Sequence, residues 1–282
     1  MSDTTQGPQV GFQFGPYLLR RLLGSGRGEV YEAYNTKSDR TVALKLLPDA
    51  LSRDPAFGAR LKREVYSAAR LQEPHVMPIF DSGEIHGRLY VEMPLIDGAD
   101  LSTMLDRDGA MSPAKAVKVV CQIASALDAA HQFGLTHRDV KPENILITRD
   151  DFAYLTNFGI VTTDEMTETR AGPPMETYAY MAPERFAGNF SDYSSDIYSL
   201  TCVLYECLTG SLPYPEKSLE ALIAAHLMQP TPRPSQAHSG ISTAFDEVIA
   251  RGMAKTPEQR YTSAGALGDA VQSALATGHG AP

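Results

Sequence analysis

The stretch His137-Arg138-Asp139-Val140-Lys141-Pro142-Glu143-Asn144, followed at once by the apolar run Ile145-Leu146-Ile147, constrains this chain more than any other. Asp139 can accept a proton, Lys141 carries a positive charge, and Asn144 offers a neutral oxygen of a kind a metal ion can use. Such groups work together only if one rigid loop presents all three, and the apolar strand directly behind supplies that attachment. A charged surface turn before a strand is the bland alternative, and it does not require this combination of side chains. The rest of the chain must therefore build a frame that holds the loop.

A chain of 282 residues, 43% hydrophobic, can bury a sizeable core and divide into two modest domains or lobes. Its net charge of -9 gives no support to nucleic-acid or anionic-membrane binding, since both select basic patches. Cys121, Cys202 and Cys207 are too few for a disulfide framework and lack metal-ligand spacing, so a reducing cytosol is expected. The N-terminus has no apolar signal segment. Asp196 and Glu206 interrupt the most apolar predicted helix, 194–209, so no membrane span is expected in this chain.

Residues 1–13 are polar and contain Gly and Pro, which predicts a flexible N-terminus with order from Phe14. Strands are predicted over 17–23 and 29–34, flanking Gly24-Ser25-Gly26-Arg27-Gly28, and over 41–47, where Lys45 sits in an apolar run. Asp54-Pro55 gives an N-cap and first-turn proline to a helix running to Gln72, with the stripe Phe57, Leu61, Ala68 and Leu71. Glu64 falls within that stripe. A carboxylate there needs a cationic partner, for which Lys45 is the candidate, unless it snorkels to water at the stripe's edge. Two more strands are expected over 77–80 and 88–93, then a hinge at Ile96-Asp97-Gly98. Ser112-Pro113 caps a helix with the stripe Ala116, Val120, Ile123, Leu127 and Ala130, ending at Gly134. Short strands at 145–147 and 152–155 follow the catalytic-looking loop, and helices are predicted over 195–208, 219–228, 243–253 and 264–276. A β-rich first third and an α-rich remainder make the chain α+β.

Together these motifs resemble a eukaryotic-type protein kinase domain, closest to the receptor-type Ser/Thr kinases of actinobacteria, over about residues 14–278. The resemblance implies a two-lobed protein-kinase-like fold: a small β-rich N-lobe over 14–96, a larger α-helical C-lobe over 97–278, and a tail at 279–282. Val42-Ala43-Leu44-Lys45 stands where the family has V-A-I-K, so Lys45 would hold the α- and β-phosphates of ATP and pair with Glu64. Gly24, Gly26, Gly28, Val30 and Ala43 would line the nucleotide, Met93 would be the gatekeeper, and Pro94 and Ile96 would meet adenine through backbone groups. In the catalytic loop the resemblance makes Asp139 face the substrate hydroxyl, Lys141 stabilise the phosphoryl group and Asn144 hold metal. Ala182-Pro183-Glu184 matches A-P-E, with Arg260 as the ion-pair partner of Glu184. Asp196 would anchor the loop backbone, Thr177 would position substrate, and Arg138 would pair with a phosphothreonine. The A-P-E motif and the segment before it favour a protein substrate over a small molecule.

Three departures bear on one step. The metal-binding D-F-G reads Asn157-Phe158-Gly159, so Asn157 would offer an oxygen without the charge that Mg²⁺ sites usually take from a carboxylate. Losing a preorganised contact of that kind costs about 3 kcal/mol, roughly a hundredfold in rate. The glycine loop is one residue short, G-x-G-x-G in place of G-x-G-x-x-G, with Arg27 at its tip expected in solvent. In the segment 157–184, Gly172-Pro173-Pro174 stiffens the chain, and Glu165, Glu168 and Glu176 would repel phosphate. Of Thr162, Thr163, Thr167 and Thr169, the last is the candidate phosphorylation site.

The resemblance thus implies a Ser/Thr protein kinase domain using ATP with Mg²⁺ or Mn²⁺, weak or metal-shifted in activity. The alternative is a pseudokinase that binds nucleotide and scaffolds or regulates another kinase in signalling. Expected partners are a protein substrate or partner kinase, in a homodimer or heterodimer, without nucleic acid. The expected location is cytoplasmic, or the cytosolic face of a membrane if an anchor follows in a longer protein.

Overall fold

The computed structural model describes residues 10–26, 28–158, 175–188 and 192–278. The chain divides into two compact units, Met1–Arg70 with Met77–Asp97, and Leu71–Val76 with Gly98–Pro282.

The first unit is a six-stranded antiparallel sheet, β1 (Gln13–Phe14), β2 (Tyr17–Gly26), β3 (Gly28–Asn35), β4 (Arg40–Leu46), β5 (Asp81–Ile85) and β6 (Arg88–Pro94), in the order β1-β2-β3-β4-β6-β5. Directly opposed residues share a face, and side chains alternate along β3, β4 and β6, while β2 shifts register twice against β3. Leu44 opposes Tyr31 and Glu92, and Val42 opposes Ala33, so this face carries the core of Tyr17, Leu19, Tyr31, Ala33, Val42, Leu44, Leu46 and Tyr90. Lys45 opposes Val30 and Val91, and Ala43 opposes Met93, which puts those five residues on the other face. Against the strand carrying Val91 lies α2 (Pro55–Ala68): a side chain at Gly58 would begin 3.9 Å from Leu89.

Two local rules govern α2. The Asp54 carboxylate accepts a hydrogen bond from the Ala56 amide at 2.9 Å, and Pro55 occupies the first turn. The helix buries Phe57, Leu61, Val65 and Ala68 and stops there, four residues short of the predicted Gln72. Leu71 instead starts the short segment that belongs with the second unit. There the His75 ring nitrogen lies 2.9 Å from the Ala153 carbonyl, and Val76 bridges to Leu155. The strand expected at 77–80 forms at Asp81–Ile85, whose backbone pairs with β6 although its sequence carries little apolar signal. Backbone pairing also begins earlier than Phe14, because the Gly11 amide donates to Leu19 and the Leu19 amide to Phe12.

One charged network lies inside this sheet. Glu92 is 1% exposed, yet its carboxylate accepts from the Tyr17 hydroxyl (2.6 Å), the Asn35 amide (3.0 Å) and Arg40 (2.8 Å). Removing a charge from water is tolerable only with such complete pairing. Burial and the bond to Glu92 push the Tyr17 phenol far above its ordinary range, so it stays a donor.

The second unit is mainly helical, with a three-stranded sheet of β7 (Gly98–Asp100), β8 (Ile145–Thr148) and β9 (Ala153–Leu155). Its helices are α3 (Leu101–Asp108), α4 (Pro113–Gln132), α5 (Pro183–Phe186), α6 (Tyr193–Thr209), α7 (Leu219–Met228), α8 (Pro234–Ala237), α9 (Ala244–Gly252) and α10 (Ala264–Gly278). Ser112 and Pro113 start α4, and Gly134 follows it at φ +73°. Helix α3 is only eight residues long and buries Leu101 and Leu105. Asp100 caps it, accepting from the Thr103 amide at 2.8 Å. Helix α6 is buried along nearly its whole length, and among the described residues no helix is long and apolar enough to cross a membrane.

Candidate active site

The loop at 137–144 takes its shape from groups far along the chain. The Asp196 carboxylate, at the start of α6, accepts from the His137 amide at 2.8 Å and from the Arg138 amide at 2.8 Å. His131 Nε2 lies 2.9 Å from the same carboxylate. Burial pulls the Asp196 carboxyl upward, but these contacts with His131 and the His137 amide outweigh it and hold the group below the usual carboxylate range. Arg138 sits at φ +68°, a strained turn for a residue with a side chain. Its carbonyl is held in turn by the Arg185 guanidinium at 2.5 Å. Arg185, from α5, is a residue that sequence reasoning missed; its position beside Glu184 was the available signal.

His137 is a spacer. It is 1% exposed, packs edge-on against Phe158 with ring centroids 4.6 Å apart, and lies 2.8 Å from the Thr156 carbonyl through Nε2. That carbonyl can only accept, so Nε2 carries the proton and Nδ1 faces the Asp139 amide at 3.3 Å. Burial pushes the imidazole's pKa down, which keeps it neutral.

The structure gathers Asp139, Lys141, Asn144 and Asn157 at this point. The Asn144 Nδ2 donates to the Asp139 carbonyl at 2.6 Å and to its carboxylate at 2.9 Å, while the Lys141 ammonium stands 3.7 Å from that carboxylate. Both groups of Asp139 only accept, so they fix the amide of Asn144 with its nitrogen toward Asp139 and its oxygen outward. That oxygen meets the Asn157 Nδ2 at 2.6 Å. The sequence suggested that Asn157 offers an oxygen to the site, but the network turns its amide nitrogen toward Asn144. Asn157 itself adopts φ +70°, a conformation that asparagine tolerates better than most residues.

These residues do not fit a divalent cation bridging positions 144 and 157. Asn144 Oδ1 already accepts an amide hydrogen, so a cation there would have to share or displace that bond, and position 157 supplies no carboxylate. Among the described residues no group of three or more His, Cys, Asp or Glu side chains is placed to hold a metal ion.

The first unit carries the other predicted residues. Lys45 is 6% exposed on β4, on the sheet face shared with Val30, Ala43 and Met93, and Glu64 is half-buried on α2. The glycine hairpin is tight: β2 and β3 pair as far as Gly26 opposite Gly28, with Arg27 outside the described residues. Gly28, at φ +104°, has no room for a side chain because a Cβ would collide with the Leu46 carbonyl. Gly24 is the opposite case, since a Cβ there would meet nothing within 4 Å. Open glycine backbone and a cation on the same sheet fit a polyphosphate chain. Pro94 and Ile96 are partly buried.

Thr177 is buried in the turn Met175–Tyr178, and Thr169 lies outside the described residues with Gly159 and most of the segment that follows. Glu184 and Arg260 form a bidentate pair at 2.8 and 2.7 Å, and the Ser195 hydroxyl donates to Glu184 at 2.6 Å.

Comparison with known proteins decides the family, since the model of the protein kinase domain matches residues 17–272. The chain belongs to the protein kinase domain family. Serine/threonine-protein kinase PknE of Mycobacterium tuberculosis is 58% identical over 278 residues, 98% of this chain and 49% of PknE. PknH of Mycobacterium bovis is 56% identical over 278 residues, 98% of this chain and 46% of PknH. The chain thus spans about half the length of these curated relatives. Among solved structures, the kinase domain of Mycobacterium tuberculosis PknI superposes with a TM-score of 0.77 at 32% identity, covering 95% of this chain and 100% of that one. The fold is that of a protein kinase, a β-sheet N-lobe and a helical C-lobe, both carried by a chain akin to mycobacterial Ser/Thr kinases.

Proposed function

We propose that this domain transfers a phosphoryl group from ATP to Ser or Thr hydroxyls of proteins, at a reduced rate. One observation carries the reading: the Asp139 carboxylate is fixed by Asn144 at 2.9 Å with Lys141 at 3.7 Å, on a loop clamped from behind by Asp196. In this arrangement Asp139 orients the attacking hydroxyl and accepts its proton, and Lys141 offsets negative charge that builds up beside it. Lys45 and the open backbone at Gly24 are the residues that would hold the phosphates of ATP, which supplies the transferred group. Glu64, Val30, Ala43 and Met93 complete that surface, with Pro94 and Ile96 at its edge. Thr177 is the residue proposed to position the substrate, and Arg138 the partner of a phosphorylated Thr169. Partners are a protein substrate or a second kinase chain, in the cytoplasm.

The bond between Asn144 and Asn157 favours a second reading, a nucleotide-binding pseudokinase that regulates another kinase. Phosphate incorporation separates the two. Intact mass and a generic protein substrate are followed for the parent chain, Asp139→Asn and Asn157→Asp, with ATP and either Mg²⁺ or Mn²⁺. A working kinase labels itself or the substrate, loses this with Asp139→Asn, and gains rate with Asn157→Asp. A parent silent with both metals refutes the enzyme reading and leaves the pseudokinase.

A further inference from the structure

The amides of Asn144 and Asn157 close a circuit that the kinase reading alone does not require. Three bonds leave each amide one orientation: two from Asn144 Nδ2 to the acceptor-only groups of Asp139, and one from Asn157 Nδ2 to Asn144 Oδ1. The backbone on either side fixes their separation. The Thr156 amide donates to the Asn144 carbonyl at 2.9 Å, the Thr156 hydroxyl to the same carbonyl at 3.1 Å, and the Thr156 carbonyl and Phe158 both engage His137. A carboxylate at 157 would inherit that separation and set two oxygens 2.6 Å apart with no hydrogen between them. A proton, a cation or a turn of the carboxylate away from Asn144 is needed to relieve such a contact. Asparagine brings its own hydrogen.

We infer that the Asn144–Asn157 amide pair stands in for a divalent cation, so that this chain holds its site in order and takes up adenine nucleotide without one. The inference deepens the reading above and rests on it for nucleotide binding only. Asn157 is here a positioning residue for Asn144 and, through it, for Asp139. The pair is neutral, and the Asn157 nitrogen donates to the Asn144 oxygen, so a divalent cation gains that oxygen only by competing with the bond.

The test is thermal unfolding of the 282-residue chain and of Asn157→Asp, each in EDTA, Mg²⁺ or Mn²⁺, with and without ADP. For the parent, cations alone move the midpoint by less than about 1 °C, and the ADP dissociation constant changes by less than about threefold between EDTA and Mg²⁺. Asn157→Asp melts about 4 °C or more below the parent in EDTA and recovers on adding Mg²⁺. Asn157→Ala, which removes the bond without adding charge, loosens Asn144 but stays indifferent to cations. In the parent, the Asn157 side-chain amide protons exchange slowly in EDTA, seen by ¹⁵N-resolved NMR. A parent that Mg²⁺ stabilises as much as Asn157→Asp, or fast exchange of those protons, overturns the inference. If neither protein binds ADP under any condition, the nucleotide reading fails by itself, while the cation dependence of melting without ADP still decides the amide pair.

Discussion

Replacing Arg260 by methionine removes a heavily bonded buried side chain of the second unit while keeping much of its apolar stem. Arg260 is 2% exposed, and its guanidinium donates to both oxygens of Glu184 and to the carbonyls of Ala254, Ser194 and Lys255, above the ring of Tyr198. In Arg260→Met the Glu184 carboxylate loses both guanidinium bonds and keeps Ser195 and a backbone amide, with its side chain only 11% exposed. Removing one partner of a buried ion pair costs about 3–5 kcal/mol, out of a total stability of about 5–15 kcal/mol. At about 2–4 °C per kcal/mol, the melting midpoint falls by roughly 6–20 °C. Urea unfolding followed by circular dichroism gives the free energy directly. Acid supplies an independent sign. Burial pulls the Glu184 carboxyl up, but hydrogen bonds and charge from Arg260, with help from Ser195, hold it below its ordinary value of 4.5. Its contribution is therefore present above pH 4.5 and lost as the pH falls through the lowered folded value. Without Arg260, burial wins and the neutral carboxyl is favoured, so the gap between parent and variant narrows below about pH 4.5. The double variant Glu184→Met with Arg260→Met should recover at least half of the loss. A single-variant cost under about 1 kcal/mol, or a gap that widens in acid, would refute the reasoning.

Two of the hairpin glycines, Gly24 and Gly28, should separate cleanly. Gly28→Ala forces a side chain against the Leu46 carbonyl at positive φ and should cost about 2 kcal/mol or more, whereas Gly24→Ala should stay within about 0.5 kcal/mol, both read from urea midpoints. His226 predicts an acid limit. It is fully buried, 2.8 Å from the Tyr198 hydroxyl, and burial with the nearby Lys255 charge pushes its pKa down to about 4. The unfolded chain takes up the proton near pH 6.5 and the folded chain only near 4, so about 3 kcal/mol of stability drains away across that window. In His226→Phe, the stability measured between those two pH values should fall by correspondingly less.

Much of the fold was legible because local rules and tertiary packing agree. Ser112-Pro113 and Gly134 bound a helix whose apolar stripe faces the core, and the two strands around the glycine turn pair with each other where the apolar runs place them. The misses share a cause. Strand β5 and helix α3 are short, and the first forms through pairing with β6, the second through the Asp100 cap and the burial of Leu101 and Leu105. Segment 71–76 reads as the end of a helix but is claimed by β9 and its neighbours. At the site, residue types could be read from the loop, but which end of the Asn157 amide faces Asn144 could not. That orientation follows from acceptor-only groups on Asp139, two bonds removed. Glu92 did leave a trace, as a carboxylate within the apolar run Leu89-Tyr90-Val91-Glu92-Met93, yet its partners Tyr17, Asn35 and Arg40 come from three other places in the chain.

The hold of Asp196 on the loop has a consequence for how the protein is made. The amides of His137 and Arg138 wait for an acceptor 59 and 58 residues downstream. At about 5–20 residues per second, a ribosome needs roughly 3–12 s to supply it, and α6 must then emerge and pack. During that interval Arg138 has nothing to hold it at positive φ, so the nascent loop relaxes to ordinary backbone. The part of the molecule that carries the chemistry thus takes its final form only after α6 has been made.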